Sequence, residues 1–168
     1  MLTTIIETNV RLTSQDLKKI KLETVLKEKL DDMYLKKFTK QYGYVLEILD
    51  FDYSSDNILS RINQDVFVKC NVKVISIIPE IDNVYYGIVK FIYPQGIFIK
   101  LLNIFDTLIP FEYLNKLGYL FNNGTFVNQE TKDIITKEST INVSVVDIKY
   151  DNKTFNCIAK LHQFAIDK

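Results

Sequence analysis

The stretch FVKCNVKVISIIPEIDNVYYGIVKFIYPQGIFIKLL, Phe67 to Leu102, decides how the chain is read, because its apolar runs break twice. A β-branched run ends before Pro79, a second spans Val84 to Tyr93, and a third, Ile97 to Leu102, follows Pro94-Gln95-Gly96. Proline cannot donate to a central ladder, and Pro and Gly clusters mark turns. The first break therefore closes a strand near Ile78, and the second is the turn of a hairpin, Val84 to Leu102, that opens a new domain. The expectation is an α+β chain of two domains, residues 1–80 and residues 81–168.

Working back from Phe67, Leu2 to Leu12 alternates, with Leu2, Ile6, Val10 and Leu12 on one face and Glu7, Asn9 and Arg11 on the other. That is a half-buried strand. Thr13-Ser14-Gln15-Asp16 resembles a capping box with the shorter acid. Leu22, Val25, Leu26, Leu30 and Met33 then recur at helical spacing, which predicts a helix from about Asp16 to Lys36 with one apolar stripe. Gly43 precedes a strand over Tyr44 to Phe51. Asp50, Asp52 and Asp56 gather at its end; without a glycine for a sharp cation-binding turn, they read as turn-forming and capping carboxylates. Asn57 to Gln64 is polar and reads as a loop or short turn. The first domain is thus β-α-β-β, a small sheet with one helix over it.

Working forward from Leu102, Thr107 to Pro110 is a short strand and Phe111 to Lys116 one helical turn. Asn122-Asn123-Gly124, between apolar residues, signals an inserted hairpin over Leu120 to Val127. Thr140 to Lys149 and Thr154 to Leu161 are the last strands, joined at Asp151-Asn152-Lys153. Without the insert this makes five strands with a helical turn after the third, the pattern of an OB-type barrel.

Composition narrows the function. Lys and Arg number 21 against 21 Asp and Glu, so the net charge is zero. A broad basic groove is excluded, while a few phosphate contacts, each adding roughly −0.7 to the salt slope on a single strand, are not. Cys70 and Cys157 lie in strand-like runs and read as reduced core thiols. There is a single histidine, His162, and no nucleophile motif, phosphate loop or zinc spacing, so catalytic residues, metal and cofactor are all expected to be none. No apolar run of about 18 residues exists and Met1-Leu2-Thr3-Thr4 lacks a basic start, which predicts an intracellular, soluble protein. Arginine occurs only at Arg11 and Arg61, while Ile, Lys and Asn abound, as in chains from AT-rich genomes.

Three motifs carry a resemblance. Lys40-Gln41-Tyr42-Gly43-Tyr44-Val45-Leu46 with Asp50-Phe51-Asp52 is one. Asn71-Val72-Lys73 through Pro79 to Tyr86-Gly87-Ile88-Val89 is the second, and Gly96-Ile97-Phe98-Ile99 the third. In this order they resemble the stalk subunit of multisubunit RNA polymerases, the seventh subunit of RNA polymerase II and its archaeal counterpart. The resemblance implies a truncated RNP-like tip domain docking on polymerase core subunits through Tyr42, Gly43, Tyr44, Asp56, Asn57 and Arg61, beside a fourth-subunit-like partner. It implies a joint at Pro79 and Gly87, an OB barrel that weakly touches nascent single-stranded RNA, and no catalytic role. A viral member is the expectation from composition, placed in a virion or cytoplasmic viral factory; a cellular one would be nuclear. The chain departs from the pattern in lacking a glycine-rich segment before the long strand, where Ser60-Arg61-Ile62-Asn63-Gln64-Asp65 stands. It also has Gln95 and Pro110 where RNA-binding repeats of this type carry an aromatic and a histidine. The alternative is a free-standing OB-fold RNA-binding protein of translation or RNA decay.

On the barrel, Lys90, Tyr93, Phe98, Lys100, Lys149 and Lys153 are the candidate RNA-binding residues, since aromatics stack bases and lysines reach phosphates. Whether Phe98 faces the core or the surface stays open without a register. Tyr85, Tyr86, Phe91, Phe105 and Phe111 read as exposed aromatics suited to a partner interface.

Overall fold

The computed structural model describes residues 1–19, 21–54, 58–59 and 65–166. The chain divides into two compact units, Met1–Ile78 and Pro79–Lys168. Among the described residues, no helix is long and apolar enough to cross a membrane.

In the first unit the elements are β1 (Leu2–Leu12), α1 (Leu22–Tyr34), β2 (Phe38–Thr39), β3 (Gly43–Tyr53), β4 (Ile58–Leu59) and β5 (Val66–Ile77). The long strands form an antiparallel sheet in the order β1-β5-β3-β2, with β4 paired to β5. Alternation in β1 sends Ile6, Val10 and Leu12 inward, where they meet Val68, Cys70, Val72 and Val74 of β5 and the helix residues Val25, Leu26 and Leu30. The ends of both apolar stripes stay outside: Leu2, Leu22 and Met33 are exposed.

The helix is shorter than the periodicity predicts. The capping box forms in full: Thr13 N and Oγ1 each donate to Asp16 Oδ2 at 2.8 Å, and Asp16 N donates to Thr13 Oγ1 at 3.3 Å. It starts only a single 3-10 turn, Asp16–Lys18, because Lys19 and Lys21 are extended. Asp16 then reaches α1 through Lys29, whose Nζ lies 2.9 Å from Oδ2. At the far end Leu35 leaves helical geometry, and Lys36 N and Lys37 O bond to Val45 O and Val45 N at 2.9 and 3.0 Å. Pairing with β3 thus ends the helix two residues early. Asp50 and Asp52 also differ from the turn and capping roles their sequence suggests: neither makes a turn or caps a helix. Both lie within β3, on exposed positions opposite Lys73 and Asn71, and Asn71 Nδ2 donates to Asp52 Oδ1 at 2.9 Å. Asp56, and with it most of the segment 57–64, lies outside the described residues.

In the second unit the elements are β6 (Val84–Tyr93), β7 (Gly96–Leu101), β8 (Phe105–Pro110), α2 (Phe111–Lys116), β9 (Tyr119–Asn122), β10 (Thr125–Asn128), β11 (Ile134–Ile135), β12 (Thr140–Asp151) and β13 (Thr154–Ile166). Strands β12-β13-β8-β7-β6 close into a barrel, with β6 paired back to β12 and β13 parallel to β8. Five strands ordered 1-2-3-5-4-1, with a helical turn after the third, make an OB-type barrel. Gly96 makes the first hairpin possible: a Cβ there would run into the carbonyl oxygen of Ile109. The core holds Val89, Ile97, Ile99, Ile109, Val143 and Ala159, all fully buried or nearly so. Phe105, expected at the surface, is fully buried and meets Phe155 edge-on at 6.2 Å.

The insert is a three-stranded sheet, β11-β10-β9, where the sequence suggests a hairpin. Asn123 and Gly124 both take positive φ, 45° and 81°, as a two-residue turn between twisted strands requires. Asn128 closes the connection to β11. Its buried side chain accepts from Glu130 N and Thr131 N at 2.8 and 3.0 Å and donates to Leu117 O at 2.9 Å.

Candidate nucleic-acid interface

Strict alternation along β6 would turn Phe91 inward, because Gly87 and Val89 are both buried. A β-bulge at Lys90 prevents it: the ladder steps from Val89↔Ile99 to Phe91↔Phe98, so two residues of β6 oppose one step of β7. Bulges of this kind re-aim the side chains that follow them. Beyond it Phe91 is 56% exposed, Tyr93 49% and Phe98 42%. Tyr93 stacks on Phe91 with centroids 6.4 Å apart and meets Phe98 edge-on at 6.0 Å.

The register extends this cluster into a row. Phe91 pairs with Phe98, Phe98 with Leu108, and Leu108 with Ile158, which is 36% exposed. Four apolar side chains thus cross four strands on the outside of the barrel, with Tyr93 beside them. An adjacent row runs Ile88, Lys100, Asp106, Asn156 and Lys149. Same-face neighbours on one strand stand about 6.7 Å apart, two residues along it. A stacking surface with Lys100 at that spacing suits a base and its own backbone phosphate.

The cations are not free. Lys100 Nζ lies 2.8 Å from Asp106 Oδ1, Lys90 Nζ 3.3 Å from Glu138 Oε2, and Lys149 Nζ 3.9 Å from Asp151 Oδ2. Lys153 stands at the β12–β13 turn, where it and Asn152 have positive φ. The structure therefore brings Tyr93, Phe98, Lys90 and Lys100 together on one hairpin, puts Lys149 at the far end of the row that holds Lys100 and Asp106, and leaves Lys153 at the tip. Phe91 belongs to the cluster as well; in the sequence it reads as part of a partner surface because nothing there marks the bulge. Gln95, in the hairpin turn, is exposed, and Pro110 pairs with Gly96 and leads into α2.

The residues assigned to docking lie in the first unit. Tyr42 packs on the core, Tyr44 meets Phe38 at 4.9 Å, and Gly43 is buried against the carbonyl of Ile77. Asn57 and Arg61, like Asp56, lie outside the described residues. Arg11 pairs with buried Asp65 at 2.6 Å, an interaction that sequence separation hides. Pro79 is buried at the start of the second unit, and Gly87 sits inside β6 opposite Leu101 and Ile141. Both cysteines are buried and unpaired with each other; burial pushes their thiols up, Cys157 to about 11, so neither is a thiolate near neutral pH. His162 is exposed on β13. Among the described residues, no cluster of three His, Cys, Asp or Glu is placed to hold a metal.

No protein-family model matches the chain, and no curated protein does. Among solved structures it is similar to Mycoplasma genitalium RNase R, in the apo form and in complex with ribose methylated single-stranded RNA. Each match has 20% identity and a TM-score of 0.41, and covers 49% of this chain and 13% of that one. The likeness spans about an eighth of RNase R, and at that score what RNase R binds or does is not carried over.

Proposed function

We propose that the chain is a non-catalytic, single-stranded RNA-binding protein that holds bases on the outer face of β6, β7 and β8. The observation that carries this reading is the exposed aromatic cluster of Phe91, Tyr93 and Phe98, extended by Leu108 and Ile158, with Lys90 and Lys100 beside it. Stacking on such rings contributes roughly 1–3 kcal/mol per base and tolerates any sequence. Exposed rings in a row are costly in water unless something covers them, and a base does so while leaving its phosphate to a lysine. The test is ultraviolet cross-linking of the purified chain to a 4-thiouridine oligonucleotide, followed by peptide mapping. Cross-links in peptides from β6 and β7 support the reading; cross-links confined to the first unit, or none, contradict it.

A second reading places the same RNA contact within a polymerase stalk. What favours it is the order of units, a helix-covered sheet followed by an OB-type barrel, together with the three sequence motifs that resemble the stalk family. The first unit would dock on polymerase core subunits, with or without a fourth-subunit-like partner, in a cell nucleus or a viral particle or factory. Native purification at high salt tests it: co-migration with large polymerase subunits supports this reading, and its absence leaves the free-standing RNA-binding protein.

A further inference from the structure

The lysines of the barrel face arrive already neutralised, and the neutralising groups are held in place by the backbone. The loop 136–139, between β11 and β12, is clipped to the β6 bulge: Val89 N donates to Ser139 O at 2.9 Å, and Glu138 N to Val89 O at 2.8 Å. The Thr136 and Ser139 hydroxyls, 2.9 Å apart, close the loop. Glu138 takes φ +66°, a conformation that residues with a Cβ adopt at a cost. So held, its carboxylate meets Lys90, while Lys137 Nζ stands 5.8 Å from the centroid of Phe91. In the row next to the aromatic one, Asp106 is fixed opposite Lys100 by the β7–β8 ladder.

From this we infer that Glu138 and Asp106 are affinity-setting competitors for the RNA backbone. A phosphate reaches Lys90 or Lys100 only by displacing a resident carboxylate, and a base reaches the open face of Phe91 only as Lys137 moves off it. The inference rests on the RNA-binding reading above. Exposed ion pairs are weak, so the exchange is accessible without unfolding anything. It also has a thermodynamic signature. A lysine taken from a carboxylate adds less net attraction than a free one, so the barrel binds weakly and with a shallow salt dependence. Removing the carboxylate frees one cation per site.

The experiment uses the full chain and a fluorescently labelled ten-nucleotide oligouridylate, with anisotropy titrations over a salt series. The variants are Glu138→Gln and Asp106→Asn, which keep size and every backbone bond, and Glu130→Gln, the same charge change on an exposed residue of the insert. The expected result is that E138Q and D106N each bind about threefold tighter at low salt, in line with the worth of an exposed pair. Each should also steepen the log–log salt slope by roughly 0.7, one phosphate on a single strand, with E130Q unchanged. The inference is overturned if E138Q and D106N match or fall below the wild type, or if E130Q gains as much, which would make the effect one of net charge alone. Wild-type binding that is lost in Phe98→Ala would keep the RNA reading intact in those cases. Absence of binding by every form would overturn that reading and the inference with it.

Discussion

Phe91 and Phe98 face each other across the β6–β7 ladder only because Lys90 is bulged out between Val89 and Phe91. Were Lys90 paired as an ordinary ladder residue, Phe91 and Tyr93 would follow Gly87 and Val89 into the barrel, and the outer face would have one ring in place of three. The same bulge carries the lysine that Glu138 holds and the main-chain groups that anchor residues 138 and 139. The bulge thus keeps the end of β6 turned outward although β6 has one residue more than β7 there.

Deletion of Lys90 is expected to close the bulge and leave the rings where they are. Val89 would still oppose Ile99 and Phe91 still oppose Phe98, now as consecutive ladder residues, so Phe91 and Tyr93 stay on the outer face. What is lost is the lysine that Glu138 holds. Single-strand RNA binding should persist, with a salt slope shallower by at most roughly 0.7, one phosphate on a single strand. Anisotropy over a salt series checks it; loss of binding as complete as in Phe98→Ala, in a chain that remains folded, would contradict this placement of the rings.

The 3-10 turn after β1 gives a pH dependence. Lys29 and the Thr13 backbone N–H hold the Asp16 carboxyl down, from 3.8 to about 2. A carboxylate whose folded value is depressed stabilises the fold above its unfolded value and loses that contribution as pH falls through the folded one. Asp16→Asn is expected to cost about 1 kcal/mol at neutral pH, as loss of a capping group does. That difference from wild type should shrink between pH 4 and pH 2. Paired urea titrations at pH 7, 4 and 2.5 measure it, and a constant difference across the three would contradict the assignment.

Gly96 offers a test of the barrel itself. A Cβ there overlaps the Ile109 carbonyl, and φ is +153°, which side chains rarely adopt. Gly96→Ala should lower stability by about 3 kcal/mol, the scale of backbone strain combined with a displaced ladder. Hydrogen exchange of β7 and β8 amides checks it. Protection should drop there and persist in β1 and β5; uniform loss or none would contradict the account.

Much of this architecture is legible in the residues. Pro79 and Gly96 mark breaks, Asn123-Gly124 marks a two-residue turn, and Phe111 to Lys116 forms the helical turn after the third barrel strand. These are local signals, fixed by φ and by missing donors. What is not legible depends on partners far along the chain. The helix is cut short by Val45, the Asp50–Asp52 pair sits within a strand by its pairing to β5, and β11 forms only because β10 offers an edge. Phe105 turns inward through register that periodicity alone does not set. For the candidate site, the lysines and two rings could be named from sequence. The carboxylates that neutralise the lysines could not, since Glu138 lies 48 residues from Lys90.

The most direct measurement of the central claim is an anisotropy titration of a labelled single-stranded oligoribonucleotide with the wild-type chain and with Phe91→Ala/Phe98→Ala. Both rings are exposed, so the double variant should keep its fold and melt near the wild type. Measurable wild-type binding is expected, reduced in the double variant by about 2–6 kcal/mol, two base stacks at roughly 1–3 kcal/mol each. Equal binding by the two proteins, with both folded, would contradict it.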